Sequence, residues 1–430
     1  MALTWRAVAL VVLGLVPVAL VPTTWTALGW LLLVAVVVAV DVLLAPAPAG
    51  LGVERSAPGT VRLGEPATSR LLVTNPGARA VHGLLRDAWV PSAGAVQDRH
   101  RFDLPAGERV AVSTTLIPVR RGDRAAGRVT VRLYGPLRLG ARQQSREVPG
   151  AVRVLHPFGA LRHLPSRLAA LRQLDGRAAL RTRGQGTEFD SLRDYVDGDD
   201  VRSLDWRATA RRQHPVVRTW RPEEQRRVVI VVDSSRTSAG RIGDVPRLDA
   251  SMDAALLLTA LAGHARDRVQ VIAGDQVVRA QVSGHDRAGL VRSAVSALAT
   301  VEPALVEADW SLLASTVARA STQRALVVLL TALEPAALEE GLLPVLPALT
   351  AHHRVVLAAV ADPALARMRA SRDSLGEVYD AVAAERVGQL QDTTADALRR
   401  LGVTVLEHEP DALPPALADH YLSLKAHGLL

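Results

Sequence analysis

Apolar and polar positions divide this chain into four regions. The first holds two apolar runs. Ala7 to Val21 carries no charge, and Ala27 to Leu44 is interrupted only by Gly29 and Asp41. With flanking residues each run approaches the ~20 residues that cross a bilayer. Trp5, Trp25 and Trp30 sit where interfacial aromatics belong. The pattern predicts a two-pass transmembrane hairpin over residues 1–45, rather than a cleaved signal peptide, because a second span follows the first at once. The loop Pro22–Thr26 is uncharged and the chain beyond Leu44 is rich in Arg. The positive-inside rule then puts the N-terminus and the bulk of the chain in the cytoplasm, at the cell membrane.

Ala45 to Gly52 reads as a Pro/Ala linker. Over 53–150, short alternating segments (Thr60–Leu63, Ser69–Thr74, Glu108–Leu116, Arg128–Leu133) are separated by turn signals such as Asn75-Pro-Gly77. Period-two strands at this spacing predict a β-sandwich-like domain. Residues 151–226 read as a connecting segment, with a helix over Leu161–Leu180 and then the polar stretch Gly186–Arg212. From 227 to 430 the pattern changes again. Apolar runs at Arg227–Val232, Ala325–Thr331, Arg354–Val360 and Val403–Leu406 alternate with helical stretches. This predicts an α/β doubly wound, mostly parallel sheet, buried on both faces. Ligands of such sheets sit at the carboxyl ends of the strands.

Composition removes several chemistries. There is no Cys, so thiolate nucleophiles and Cys-ligated zinc are out. The single Lys, Lys425, excludes a G-K-[ST] phosphate loop. The net charge is +8, but Arg is interleaved with acids and only 3% of residues are aromatic, so no nucleic-acid partner is expected. Neither H-E-x-x-H nor G-x-S-x-G occurs.

Asp233 leaves the first buried strand, with Ser235 and Thr237 at i+2 and i+4. One carboxylate and two hydroxyls are hard ligands suited to Mg²⁺. This D-x-S-x-T resembles the metal-ion-dependent adhesion site of von Willebrand factor type A domains, which a Thr from a second loop and an Asp from a third complete. Here Ala332 stands where the third-loop Asp belongs, with Glu334 the next acid, and Asp309 and Ser311 fall near the second-loop position. A metal site at Asp233, Ser235 and Thr237, helped by Asp309, Ser311 or Glu334, is one expectation. A degenerate, metal-free loop serving as a helix cap is the other.

Gly186–Arg212 packs seven acidic and five basic residues around one Tyr and one Trp. With Gly184-Gln-Gly186 before it, it carries Glu188-Phe, Leu192-Arg193-Asp-Tyr195, Gly198-Asp199-Asp200-Val-Arg202 and Leu204-Asp205-Trp206, ending in Ala210-Arg211. These residues resemble the domain-of-unknown-function 58 family. The layout also agrees: membrane helices, a β-rich segment, the motif, then a von Willebrand A-like domain. The resemblance implies a membrane-bound partner of MoxR-type AAA+ ATPases, in chaperone-like or cell-envelope processes, with no established enzymatic activity.

The residues themselves leave two roles for the motif. One is a self-satisfied network in which Arg193, Arg202, Arg207 and Arg211 pair with Glu188, Asp194, Asp199, Asp200 or Asp205, with Trp206 offering a cation–π face. The other is a docking surface. Asp199 and Asp200 are adjacent and surrounded by Arg, which opposes a raised-pKa acid. The chain is therefore expected to be a scaffold rather than an enzyme. The alternatives are a metal-dependent hydrolase using Asp233 with Asp199 or Asp200, and a purely structural envelope component.

Overall fold

The computed structural model describes residues 2–56, 58–181, 188–196, 199, 201–221, 226–284 and 287–430, with backbone only at 175–181, 188–191, 202, 218–221 and 287–288. The chain forms two compact units, Met1–Pro157 and Phe158–Leu430.

In the first unit the second apolar run is one helix, Thr24–Leu44, whose N-terminus is capped by the Thr23 hydroxyl. It is the one described helix long and apolar enough to cross a membrane. The first run is shorter and divided at Gly14 into Trp5–Leu13 and Leu15–Leu20. The two runs pack together: the Trp30 indole donates to the Leu10 carbonyl at 3.1 Å. A Cβ at Gly14 would lie 2.2 Å from that ring, so glycine is what permits the approach. Both ends of this helical pair meet one turn. The Thr4 hydroxyl donates to the Arg138 carbonyl. Asp41, the one charge inside the apolar run, is buried and accepts N–H groups from Leu137, Leu139 and Gly140 at 2.7–2.8 Å. A carboxylate that would be costly in hydrocarbon is thus answered by backbone donors.

The rest of the unit is a β-sandwich. One sheet is built on the long strand Gly122–Tyr134, which pairs with Val81–Trp89, Gly140–Glu147 and Ala151–Leu155. The other runs Gly52–Ser56, Ala67–Thr74, Arg109–Leu116 and Ala95–Val96. Leu71 and Val73 from one, and Leu85, Phe102, Val131 and Leu133 from the other, share a core. The four segments expected from alternation all lie in or overlap strands. Val81–Trp89 and Gly140–Glu147 escaped that reading because charged residues and glycines break their alternation. The expected linker is packed instead: Leu51 is buried and Arg146 donates to the carbonyls of Leu51 and Pro48. An Arg55–Asp87 ion pair of 2.8 Å is fully buried, with Arg55 also 5.0 Å from the centre of the Trp89 ring.

The second unit is built on a six-stranded sheet. Taken across the sheet, its strands are Val278–Gly284, Arg268–Gly274, Arg227–Asp233, Leu326–Leu330, Arg354–Val360 and Thr404–His408. All are parallel except the edge strand Val278–Gly284. The uncharged apolar runs of Arg227–Asp233, Leu326–Leu330 and Arg354–Val360 suit burial on both faces, whereas the two edge strands are half exposed. Trp310, Leu313, Leu342, Leu346 and Leu398 cover one face. The other packs against helices Arg247–His264 and Leu413–Ala426. Between the strands Leu326–Leu330 and Arg354–Val360 the helical stretch is broken: Pro335–Ala337 runs into a π-helical turn, Leu338–Leu342, and helix Leu346–His352 is a separate piece. Helices Pro363–Ala370 and Leu375–Arg400 carry no clear apolar period and were not expected. A two-stranded hairpin, Glu188–Asp194 with Val216–Arg221, precedes the sheet.

Candidate functional site

The sheet's order reverses between strands Arg227–Asp233 and Leu326–Leu330. The chain leaves the first for one side of the sheet and the second for the other. That is the switch point where a crevice opens beyond the strand ends. Asp233 ends the first strand and is 1% exposed. Its Oδ1 accepts the Ser235 N–H at 2.8 Å. Its Oδ2 accepts the Thr237 hydroxyl at 2.8 Å and the Thr331 hydroxyl, from the loop after the second strand, at 2.7 Å. One carboxylate thus ties two loops together. The Ser235 and Thr237 hydroxyls lie 3.2 Å apart.

Two further contacts brace the loop. The Ser234 hydroxyl donates to Asp275, which directly follows the adjacent strand and also takes the Arg279 guanidinium at 2.9 and 3.1 Å. Burial opposes ionisation of Asp275, but Arg279, Ser234 and the Val277 N–H together hold its carboxyl below the ordinary range. The Arg236 backbone N–H donates to Val306, and its side chain bridges Glu307 and Glu334, the latter at 2.9 Å.

Asp233, Ser235 and Thr237 therefore come together as expected, whereas the other candidates do not join them. Asp309 caps helix Trp310–Ala320 by accepting the Leu312 N–H, Ser311 is exposed on that helix, and Glu334 is held by Arg236. In kind, the donors suit a hard cation. In charge they fall short: one carboxylate among hydroxyls, both its oxygens already accepting, with buried Ala332 beyond Thr331. Among the described residues no three His, Asp or Glu side chains gather as metal ligands. Thr331, Asp275, Arg279 and Arg236 were not singled out by sequence. A hydroxyl or acid directly after a buried strand was the available signal for the first two.

The motif forms the other site. Strands Glu188–Asp194 and Val216–Arg221 are joined by an excursion that the Tyr195 N–H closes on the Pro215 carbonyl. Asp199 accepts Arg193 at 2.5 Å and the Val196 N–H at 3.0 Å. The Arg193 guanidinium, then that N–H, hold its carboxyl below the ordinary range. Asp194 pairs with His214 at 2.8 Å. Asp205 caps helix Trp206–Arg212 by accepting two N–H groups at 3.0 Å. Part of the expected network exists, therefore, but Trp206 takes no part in it. The ring is 71% exposed, Val196 and Val201 are mostly exposed, and the Arg-over-ring contact among the described residues is at Trp89 instead. Arg207, Arg211 and Arg212 are exposed and have no carboxylate partner among the described residues. Asp200 and the side chains of Glu188 and Arg202 lie outside the described residues, so their expected pairings do too.

Residues 191–400 match the family model described as "Protein of unknown function DUF58". Over these residues the chain belongs to the DUF58 family. The match begins inside the motif hairpin and runs through helix Leu375–Arg400, so it takes in both sites. Relatives of this DUF58 chain include uncharacterized proteins of Mycobacterium tuberculosis (Rv1480) and Mycobacterium bovis (Mb1516). Each is 27% identical over 187 residues, covering 42% of this chain and 56% of the relative. The DUF58 chain thus spans little more than half the length of these relatives. Among solved structures, the CARDB domain of the Pyrococcus furiosus PF1109 protein, described in complex with di-metal ions, covers 24% of this chain at 18% identity. Its TM-score is 0.18, too low to bear on the fold.

Proposed function

We propose that this DUF58 chain is a membrane-anchored protein-binding scaffold. Its partner would be a MoxR-type AAA+ ATPase, in chaperone-like or cell-envelope processes. The observation that carries this reading is the hairpin's excursion, which leaves Trp206, Val196 and Val201 in water and carries Arg207, Arg211 and Arg212, exposed and with no carboxylate partner among the described residues. Trp and Arg are the side chains that most often dominate protein interfaces. Anchoring rests on the apolar helix Thr24–Leu44. A two-pass arrangement draws support from the convergence of both helix ends on the turn Leu137–Gly140, and a cytoplasmic bulk from the uncharged loop Pro22–Thr26 set against the Arg-rich chain beyond Leu44. A von Willebrand A-like domain is the reading that the strand order and the Asp233 loop favour.

Two other roles follow from other sites. A hydrolase would need Asp233 or Asp199 free to move a proton, and both carboxylates are already committed to protein donors. An adhesion-type Mg²⁺ site at Asp233 would require the Thr237 and Thr331 hydroxyls to turn away from Oδ2.

Co-purification of the full chain, in detergent, with the MoxR-type ATPase of the same organism tests the proposal. Capture lost in Trp206→Ala and indifferent to Mg²⁺ supports the scaffold with a metal-free loop. Capture that needs Mg²⁺ and is lost in Asp233→Ala moves the binding role to the switch point. No capture by the wild type overturns the partner.

A further inference from the structure

Helix Leu375–Arg400 is 26 residues long. Ser374 caps it, accepting the Glu377 N–H. Its inner face is made of small side chains, Ala381, Ala384, Gly388 and Ala395 among them, with Leu398 near the end. Its outer face is unusual for a surface. Leu375, Tyr379 and Val382 are 73%, 69% and 64% exposed, and Val378, Val387 and Leu390 are exposed as well. Single exposed apolar residues need no explanation. These six share one helix, and their order has a symmetry. Reversing the helix about the midpoint between Val382 and Ala383 sets Leu375 on Leu390, Val378 on Val387, Tyr379 on Arg386 and Val382 on Ala383.

We propose that the chain self-associates through this face, two copies packing their Leu375–Arg400 helices antiparallel across a two-fold axis at that midpoint. A two-fold interface brings residue i of one copy to residue j of the other and j to i, so the partner supplies each apolar residue's counterpart. The charges agree. Arg386, the one charged residue in the seam, meets the ring of the other copy's Tyr379, a cation–π contact made twice. Stepping about 100° per residue, Glu377, Asp380, Glu385 and Asp392 fall more than roughly 90° from the seam's centre. No carboxylate is buried, therefore. Those flanking acids also disfavour an anionic bilayer as the occupant, and an unrelated protein would give no reason for the two-fold order. The seam is about 24 Å long. It is smaller than the roughly 800 Å² per partner of a stable interface, so the pairing suits copies concentrated on a shared surface.

The chain has no Cys, which permits a clean cross-linking test. Full-length Leu375→Cys and Leu390→Cys variants, each with a different tag, are reconstituted together in lipid vesicles and mildly oxidised. Antiparallel pairing yields the mixed-tag disulfide at least tenfold above either variant alone. Self-cross-linking of Leu375→Cys as the main product overturns the antiparallel arrangement, and no cross-linked species in any combination overturns the pairing. Independently, between dye-labelled full-length chains held in one vesicle, Tyr379→Glu abolishes the energy transfer that the wild type shows while leaving the melting curve unchanged, since the side chain faces solvent. Energy transfer that survives both Tyr379→Glu and Val382→Glu overturns the proposal.

Discussion

Asp233 and Asp199 are both carboxylates at the heart of a site, and both accept several protein donors. Their surroundings differ in every other respect. Asp233 is buried at the switch point and joins two loops 98 residues apart through the Thr331 hydroxyl. Asp199 closes a local turn, taking a guanidinium six residues away and the Val196 N–H. A buried carboxylate that satisfies several donors is part of the fold, because its removal strands them. An exposed ion pair contributes little stability and sets only the shape of what surrounds it. The first site is therefore closed, its carboxylate taken up by protein donors, and the second is open, with apolar side chains exposed.

The largest expected effect tests the closed half. Asp233→Ala leaves the Thr237 and Thr331 hydroxyls and the Ser235 N–H without their acceptor, and should cost about 3 kcal/mol in urea unfolding. A cost near zero would mean that the loop is not held by this carboxylate. A melting temperature that Mg²⁺ raises in wild type and not in the variant would mean that the site takes the ion.

Acid separates the sites next. Asp275, at the switch point, and Asp199, in the excursion, both have carboxyls held below the ordinary 3.8. For a depressed acid, the unfolded chain binds protons first as pH falls. Its stabilisation is complete above 3.8 and lost below it, through the folded value. For Asp275 that loss should appear as weakening of the sheet domain. For Asp199 it should appear only as a local change around Val196. Carboxyl shifts followed by NMR from pH 5 to 2, beside the unfolding curve, would distinguish them. Simultaneous loss at both sites would break the contrast. Thr331→Val is milder: Asp233 Oδ2 keeps Thr237, and the expected cost is about 1 kcal/mol.

The two sites were not equally legible in sequence. Asp233 ends a run of uncharged β-branched residues, and such a run bounded by Asp, Ser and Thr marks a strand end whatever its neighbours. What the run could not reveal was Thr331, because that pairing depends on which strand lies alongside. The sandwich strands with regular alternation were likewise readable, whereas Val81–Trp89, with Gly83, Arg86 and Asp87 inside it, was not. Helix Leu375–Arg400 was missed for a related reason. Its inner face is mostly Ala and Gly and its outer face carries Leu, Val and Tyr, so the apolar period that marks a soluble helix is blurred. At the motif, sequence identified the charges but neither the helix cap made by Asp205 nor the exposure of Trp206. Exposure depends on how the hairpin stands, and charge density alone is compatible with either role.

The smallest stability effect is the most telling for the open half. Trp206→Ala and Asp199→Asn should leave the unfolding curve where it was, since one ring is mostly in water and the other residue's partners are local. Their effects on capture of the ATPase should differ. Trp206→Ala removes contact area and should weaken capture at least tenfold, through faster dissociation. Asp199→Asn keeps a hydrogen-bond acceptor for Val196 and should weaken capture less, in proportion to how far the turn reshapes the excursion. Surface plasmon resonance on the full-length pair gives both rates. Equal losses for the two variants would mean that the turn's charge itself is recognised. A large stability loss for Trp206→Ala would mean that the ring packs in solution, and the excursion would then belong with Asp233 among the closed sites.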